Sequence, residues 1–102
     1  MAAAKKKVPV LIRTYSAGVH FGYLVKRSGR EVVLANARRC FYWQVDHVKH
    51  GNRQNTCSEL AQFGPARGSK IATRVPVHTL LDCIEVLSAS SEAVKAFEGW
   101  PA

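Results

Sequence analysis

The sequence predicts an α+β domain that is mainly β: an antiparallel meander sheet or a small, partly open barrel, with two short helices. Three observations predict it. Apolar residues repeat with a period of two through the first third of the chain. Short turns rich in glycine and serine separate those stretches. Helix-start signals occur at only two places, each followed by a segment of about two turns. A chain of 102 residues has room for one core and not for a second. Residues 8–102 are therefore read as a single β-rich domain, behind a flexible basic arm at residues 1–7 (MAAAKKK).

Residues 8–15 open the sheet, with Val8, Val10, Ile12 and Thr14 alternating against Pro9, Leu11, Arg13 and Tyr15. Ser16, Ala17 and Gly18 then turn the chain. From Val19 onward, Val19, Phe21, Tyr23 and Val25 point one way and His20, Gly22, Leu24 and Lys26 the other. Arg27-Ser28-Gly29-Arg30 makes the second turn, and residues 31–35 begin a third strand. Short connections favour antiparallel neighbours, so the three strands form a meander. Residues 38–43 extend the sheet, with Arg38, Cys40 and Tyr42 on one face and Arg39, Phe41 and Trp43 on the other. Beside Arg38 and Arg39, the aromatics Phe41, Tyr42 and Trp43 meet the composition of a base-stacking surface, but in so small a domain core packing is the expected role for Phe41 and Trp43. The polar residues 44–55 read as a long loop.

Thr56 followed by Glu59 forms a capping-box pattern, and Gly64-Pro65 ends the helix that it starts. Residues 66–69 turn and residues 70–77 are extended. Residues 77–87 fit either period, and the preferred reading is a turn at residues 78–81 followed by a strand. Ser90 or Ser91 starts a final helix with Glu92 in its first turn, which Gly99 and Pro101 end. Phe97 and Trp100 are expected to pack against the sheet.

Chemistry-bearing patterns are sparse. His47-x-x-His50 with Cys57 has zinc-type ligands but no clear fourth donor among Asp46, Cys40 and His20. The expectation is two solvated histidines, with no metal and no cofactor. No cysteine or serine sits in a recognisable nucleophile motif, and Cys40 and Cys83 lie in apolar contexts suited to small core residues. The seven acids are scattered and no glycine loop follows a strand to cradle phosphate. A non-enzyme is expected. Three widely spaced cysteines suggest reduced thiols. The apolar stretches at residues 8–12 and 79–87 are far below the roughly 20 residues that span a bilayer. The first of them contains Pro9 and ends at Arg13, unlike a secretory signal. A cytoplasmic protein with no membrane partner is the corresponding expectation.

Charge is the most informative bulk property. Fifteen basic and seven acidic residues give a net +8. Residues 1–75 carry 14 of the basic groups and three of the acids, whereas residues 76–102 carry one lysine and four acids. A basic body favours anionic partners through steering and counterion release. The candidate contact residues are Lys26, Arg27, Arg30, Arg38 and Arg39, with Lys5, Lys6 and Lys7 as an auxiliary arm.

The stretch Arg13-Thr14-Tyr15-Ser16-Ala17-Gly18-Val19 with Gly22, then Glu31-Val32-Val33-Leu34 and Ala37-Arg38-Arg39 leading to Trp43, resembles a family of small bacteriophage and prophage proteins of unknown function. Ser58-Glu59-Leu60-Ala61 with Gly64, and residues 89–93 after the apolar run 84–87, resemble its later part. The likeness covers residues 10–97, and the polar stretch 44–55 is longer here than in that family. The resemblance implies a phage or prophage accessory protein in a bacterial cytoplasm, acting by binding. The partner would be nucleic acid, a nucleoprotein or an acidic host protein, with inhibition of host defence as one such role. The alternative is a structural virion or interaction module, including a homo-oligomer, that does not bind nucleic acid.

Overall fold

The computed structural model describes residues 8–51 and 54–101, so the basic arm at residues 1–7 lies outside the described residues. Five strands form one antiparallel sheet: β1 (Val8–Thr14), β2 (Val19–Ser28), β3 (Glu31–Tyr42), β4 (Lys70–Leu80) and β5 (Cys83–Ser88). Their order across the sheet is β4-β3-β2-β1-β5. The helices are α1 (His47–His50), α2 (Cys57–Phe63) and α3 (Ser91–Glu98).

This order forces curvature. β4 and β5 are the two edges of the sheet, yet only Leu81 and Asp82 join them. In a flat sheet those edges would stand four strand spacings apart, about 19 Å. Three Cα steps from Leu80 to Cys83 reach at most about 11 Å. The sheet therefore rolls into a partly open barrel. The link is fastened on both sides, by Tyr15 N–H to Asp82 O at 3.0 Å and Cys83 N–H to Arg30 O at 2.9 Å.

Rolling buries both faces. On one, Leu11, Val19, Phe21, Tyr23 and Cys40 pack beneath Leu60 and Ala61 of α2 and Phe97 of α3. Phe21 and Phe97 stack with ring centroids 4.3 Å apart. On the other, Val10, Ile12, Val32, Leu34, Ala37, Leu80 and Cys83 pack against one another without a helix. The alternation in β2 is thus real, but His20, Gly22 and Leu24 face an interior rather than solvent.

Bulges let the strands bend. Between Phe21 and Tyr23 of β2, the partner strand advances from Arg38 to Ala35, one residue more. The extra residue is absorbed at Asn36, which has φ +50°. A Cβ on Gly22 would stand 3.0 Å from Leu34 Cδ1 and 3.3 Å from Ala37 Cα, so glycine is needed where the strands close in. β3 is therefore one continuous bent strand rather than two short segments. A second bulge places Val25 outside the ladder, leaving it exposed.

Several expectations shift accordingly. Three helices form rather than two, because Asp46 caps a single turn within the expected loop by accepting from Lys49 N–H at 2.9 Å. The segment 77–87 is extended, and its turn is confined to Leu81 and Asp82. Phe41 is 64% exposed instead of buried, whereas Trp43 is half-buried against the core. α2 carries the expected capping box between Thr56 and Glu59, and Ser90 caps α3.

Gly64 joins the helices. Its φ is +81°, and a Cβ there would stand 2.7 Å from the Cβ of Ala96. Both the left-handed backbone and the contact with α3 exclude a side chain. Gly64→Ala should lower unfolding free energy by about 2–4 kcal/mol. An unchanged urea midpoint would refute this account of the α2–α3 junction.

Candidate anion-binding surface

The five candidate cations separate into three situations. Lys26, Arg27 and Arg30 crowd the β2–β3 hairpin tip, where Ser28 pairs with Glu31 and Gly29 turns the chain at φ +59°. All three are exposed, and none belongs to an ion pair among the described residues. Arg39 is also exposed and outside any ion pair among the described residues, but it lies opposite His20. His20 and Arg27 are seven residues apart on β2, roughly 23 Å along the strand. The tip and Arg39 are therefore separate surfaces.

Arg38 must be withdrawn from the contact set. It is 1% exposed, and its guanidinium is engaged inside the molecule. Nε donates to Ala72 O at 2.8 Å, Nη1 to Phe97 O at 3.2 Å and Trp100 O at 2.8 Å, and Nη2 to Pro101 O at 2.7 Å. These carbonyls include the C-terminal end of α3, where a cation also meets the negative end of the helix dipole. Burial, with Arg74 next, pulls its pKa downward, and Cys40 and Glu98 oppose that. Arg74 and Tyr23 hold the same end of α3: Arg74 donates to Glu98 O at 2.9 Å and Oε1 at 3.1 Å, and the Tyr23 hydroxyl donates to the Glu98 carboxylate.

The acids explain why the tip stays positive. Glu85 pairs with Arg13, Glu92 with Lys49 and His50, and Glu98 with Arg74. Asp46 and Glu59 cap helices, and Asp82 accepts from the Ser16 hydroxyl at 3.4 Å. Of the seven acids, Glu31 lies on the hairpin with Lys26, Arg27 and Arg30, and Asp82 stands next to it where Cys83 N–H bonds Arg30 O.

Residues 7–97 match a family described as a domain of unknown function, DUF6948. The chain belongs to that family. No curated protein matches the chain, and no solved structure does.

Elsewhere in the DUF6948 domain, the titratable groups are arranged for packing. Burial pushes the Cys40 thiol up to about 12 and moves Cys57 upward as well, opposite to what a nucleophilic thiolate needs. His47 and His50 sit on the single turn of α1, and no three His, Cys, Asp or Glu groups converge among the described residues. His50 is not solvated as expected. It stacks on Phe63 with centroids 4.0 Å apart and meets Glu92 through Nε2 at 2.9 Å. A groove of about 660 Å³ runs beside this stack between α1, the 64–67 loop and α3, with Lys49, Arg67 and Lys95 on its walls. Among the described residues no helix is long and apolar enough to cross a membrane.

His20 is fully buried, its Nε2 bonded to Ala17 O at 2.9 Å and its ring edge against His78 at 4.9 Å. Nδ1 has no hydrogen-bond partner among the described residues. Burial holds its pKa at about 4, with the Ala17 contact opposing the shift and His78 and Arg39 adding to it.

Arg38→Met should cost about 3 kcal/mol or more by stranding the carbonyls it serves, while Arg39→Met should stay within about 0.5 kcal/mol. Equal effects in a denaturant titration would contradict the division between the neighbours. Unfolded His20 takes a proton near 6.5 and folded His20 only near 4, so the unfolded state binds more protons in between. The contribution of neutral His20 is complete above pH 6.5 and is lost as pH falls toward 4, a decline on the order of 3 kcal/mol. Melting curves across this range should flatten in His20→Leu, and an unaltered slope would assign the acid sensitivity elsewhere.

Proposed function

We propose that this domain acts by binding an anionic macromolecule, nucleic acid or nucleoprotein, without catalysing a reaction. The observation that carries the reading is the β2–β3 tip, where Lys26, Arg27 and Arg30 are exposed and outside any ion pair among the described residues. Exposed cations outside any ion pair can approach a phosphate backbone without first breaking an internal contact. The raised cysteine pKa values favour the non-enzymatic part of the reading. The setting proposed is that of a small phage or prophage accessory protein in a bacterial cytoplasm, which fits the motif resemblance. An acidic host protein, as in blocking of host defence, would use the same tip.

A second reading, an assembling module, draws on β4, an eleven-residue edge strand bonded only to β3. Pro76 in its centre lacks an N–H and interrupts that edge, which ranks this reading lower.

The test is titration of a labelled DNA duplex at 50 and 200 mM salt. Binding should weaken with salt, and the combined variant K26E/R27E/R30E should flatten the log–log slope by about three units. No duplex binding at 50 mM salt, or a variant that binds as the native protein does, would remove the hairpin as the contact.

A further inference from the structure

We infer that the end of the sheet where β3 meets β4 holds single-stranded nucleic acid, with bases stacking on Phe41 and Tyr42 and phosphates on Arg39 and Lys70. This rests on the anion-binding reading above but uses a different surface, remote from the hairpin tip.

The register creates this surface. Cys40 pairs with Ile71 and Tyr42 with Lys70, so two steps of β3 match one step of β4 and Phe41 is the extra residue. A bulge breaks the alternation that would otherwise set a side chain firmly on one face. Cys40 is buried in the core, whereas Phe41 is 64% exposed and Tyr42 47% exposed. Lone exposed aromatics are ordinary. Here two are adjacent, and each has a cation close by in the fold. Arg39 precedes Phe41 by two residues and Lys70 is the cross-strand partner of Tyr42. Both cations are exposed and outside any ion pair among the described residues.

Charge complementarity selects the occupant. β4 has no carboxylate along its length, and the only one on β3 is Glu31 at the opposite end. An apolar peptide would leave Arg39 and Lys70 without counter-charges. A duplex would satisfy the cations but keep its base faces stacked inside. A single strand offers both phosphates and free base faces.

The platform is also held in place before binding. Gln44 N–H donates to Ser69 Oγ at 2.9 Å and Ala66 N–H to Gln44 O at 2.7 Å, tying the end of β3 to the loop that enters β4. Asn55 Nδ2 donates to Trp43 O at 2.6 Å, and Trp43 Nε1 to Asn55 O at 3.2 Å. The Gln44 amide also donates to the Tyr42 hydroxyl. A backbone and a Tyr42 hydroxyl already held in place lose less freedom when a base stacks there.

The experiment measures fluorescence anisotropy of a labelled oligothymidylate with the full chain, beside the duplex. Phe41→Ala should weaken single-strand binding at least fivefold while leaving the thermal midpoint and duplex affinity unchanged. Phe41→Trp should stay within about twofold of the native affinity, as any aromatic face serves. Arg39→Ala with Lys70→Ala should reduce the salt slope by about 1.4 units for two single-strand phosphate contacts. If F41A binds the single strand as the native protein does, while the duplex still needs the hairpin, this inference is overturned and the hairpin reading stands. Native protein that binds neither oligonucleotide overturns both.

Discussion

Two residues have to carry the chain from one edge of the sheet to the other. Leu81 and Asp82 join β4 to β5, and their short reach makes a flat five-stranded sheet impossible. The curvature that follows accounts for most of the interior. It folds Val10, Ile12, Leu34 and Leu80 against one another without a covering helix. The opposite face is left for α2 and α3, which close over Phe21 and Leu11. The bulges at Asn36 and Val25 are where β2 and β3 accommodate that bend, and Gly22 leaves room for the closest approach.

The curvature also separates residues that are neighbours in sequence. Arg38 and Arg39 are consecutive and chemically identical. Strand alternation turns the first beneath the end of α3, where four carbonyls collect on its guanidinium, and the second out beside His20. Arg38 thus becomes part of the packing, together with Tyr23 and Arg74, which grip Glu98. Internal engagement of the acids completes the electrostatics. Most carboxylates cap helices or pair with Arg13, Lys49, His50 and Arg74, and the cations on the hairpin and at the β3–β4 end stand outside any ion pair among the described residues. Net charge alone would not distinguish these two surfaces from an evenly basic exterior.

Binding by such a domain would draw on two different physical terms. The hairpin tip carries charge and no aromatic residue between Val25 and Val33, and charge contacts position a backbone without reading bases. The β3–β4 end combines charge with aromatic faces, which would add a preference for strands whose bases are free. The DUF6948 family is a domain of unknown function, so the proposed partners follow from these side chains.

By itself, the sequence determined the elements governed by local chemistry. The period of two in β1 and β2, the Gly29 turn, the Thr56–Glu59 capping box and the Ser90 cap all depend on residues a few positions apart. α1 escaped because one turn capped by Asp46 is too short to show a helical period. Tertiary structure alone decided which cations reach solvent. Arg38 is recognised as internal only once residues 97–101 are folded onto it, some 60 positions away. It likewise exposed Phe41, because a bulge arises from the mismatch of two strands and has no signature in either one. Local patterns choose the strand and the helix; the pairing of distant segments chooses which of their side chains a partner can touch.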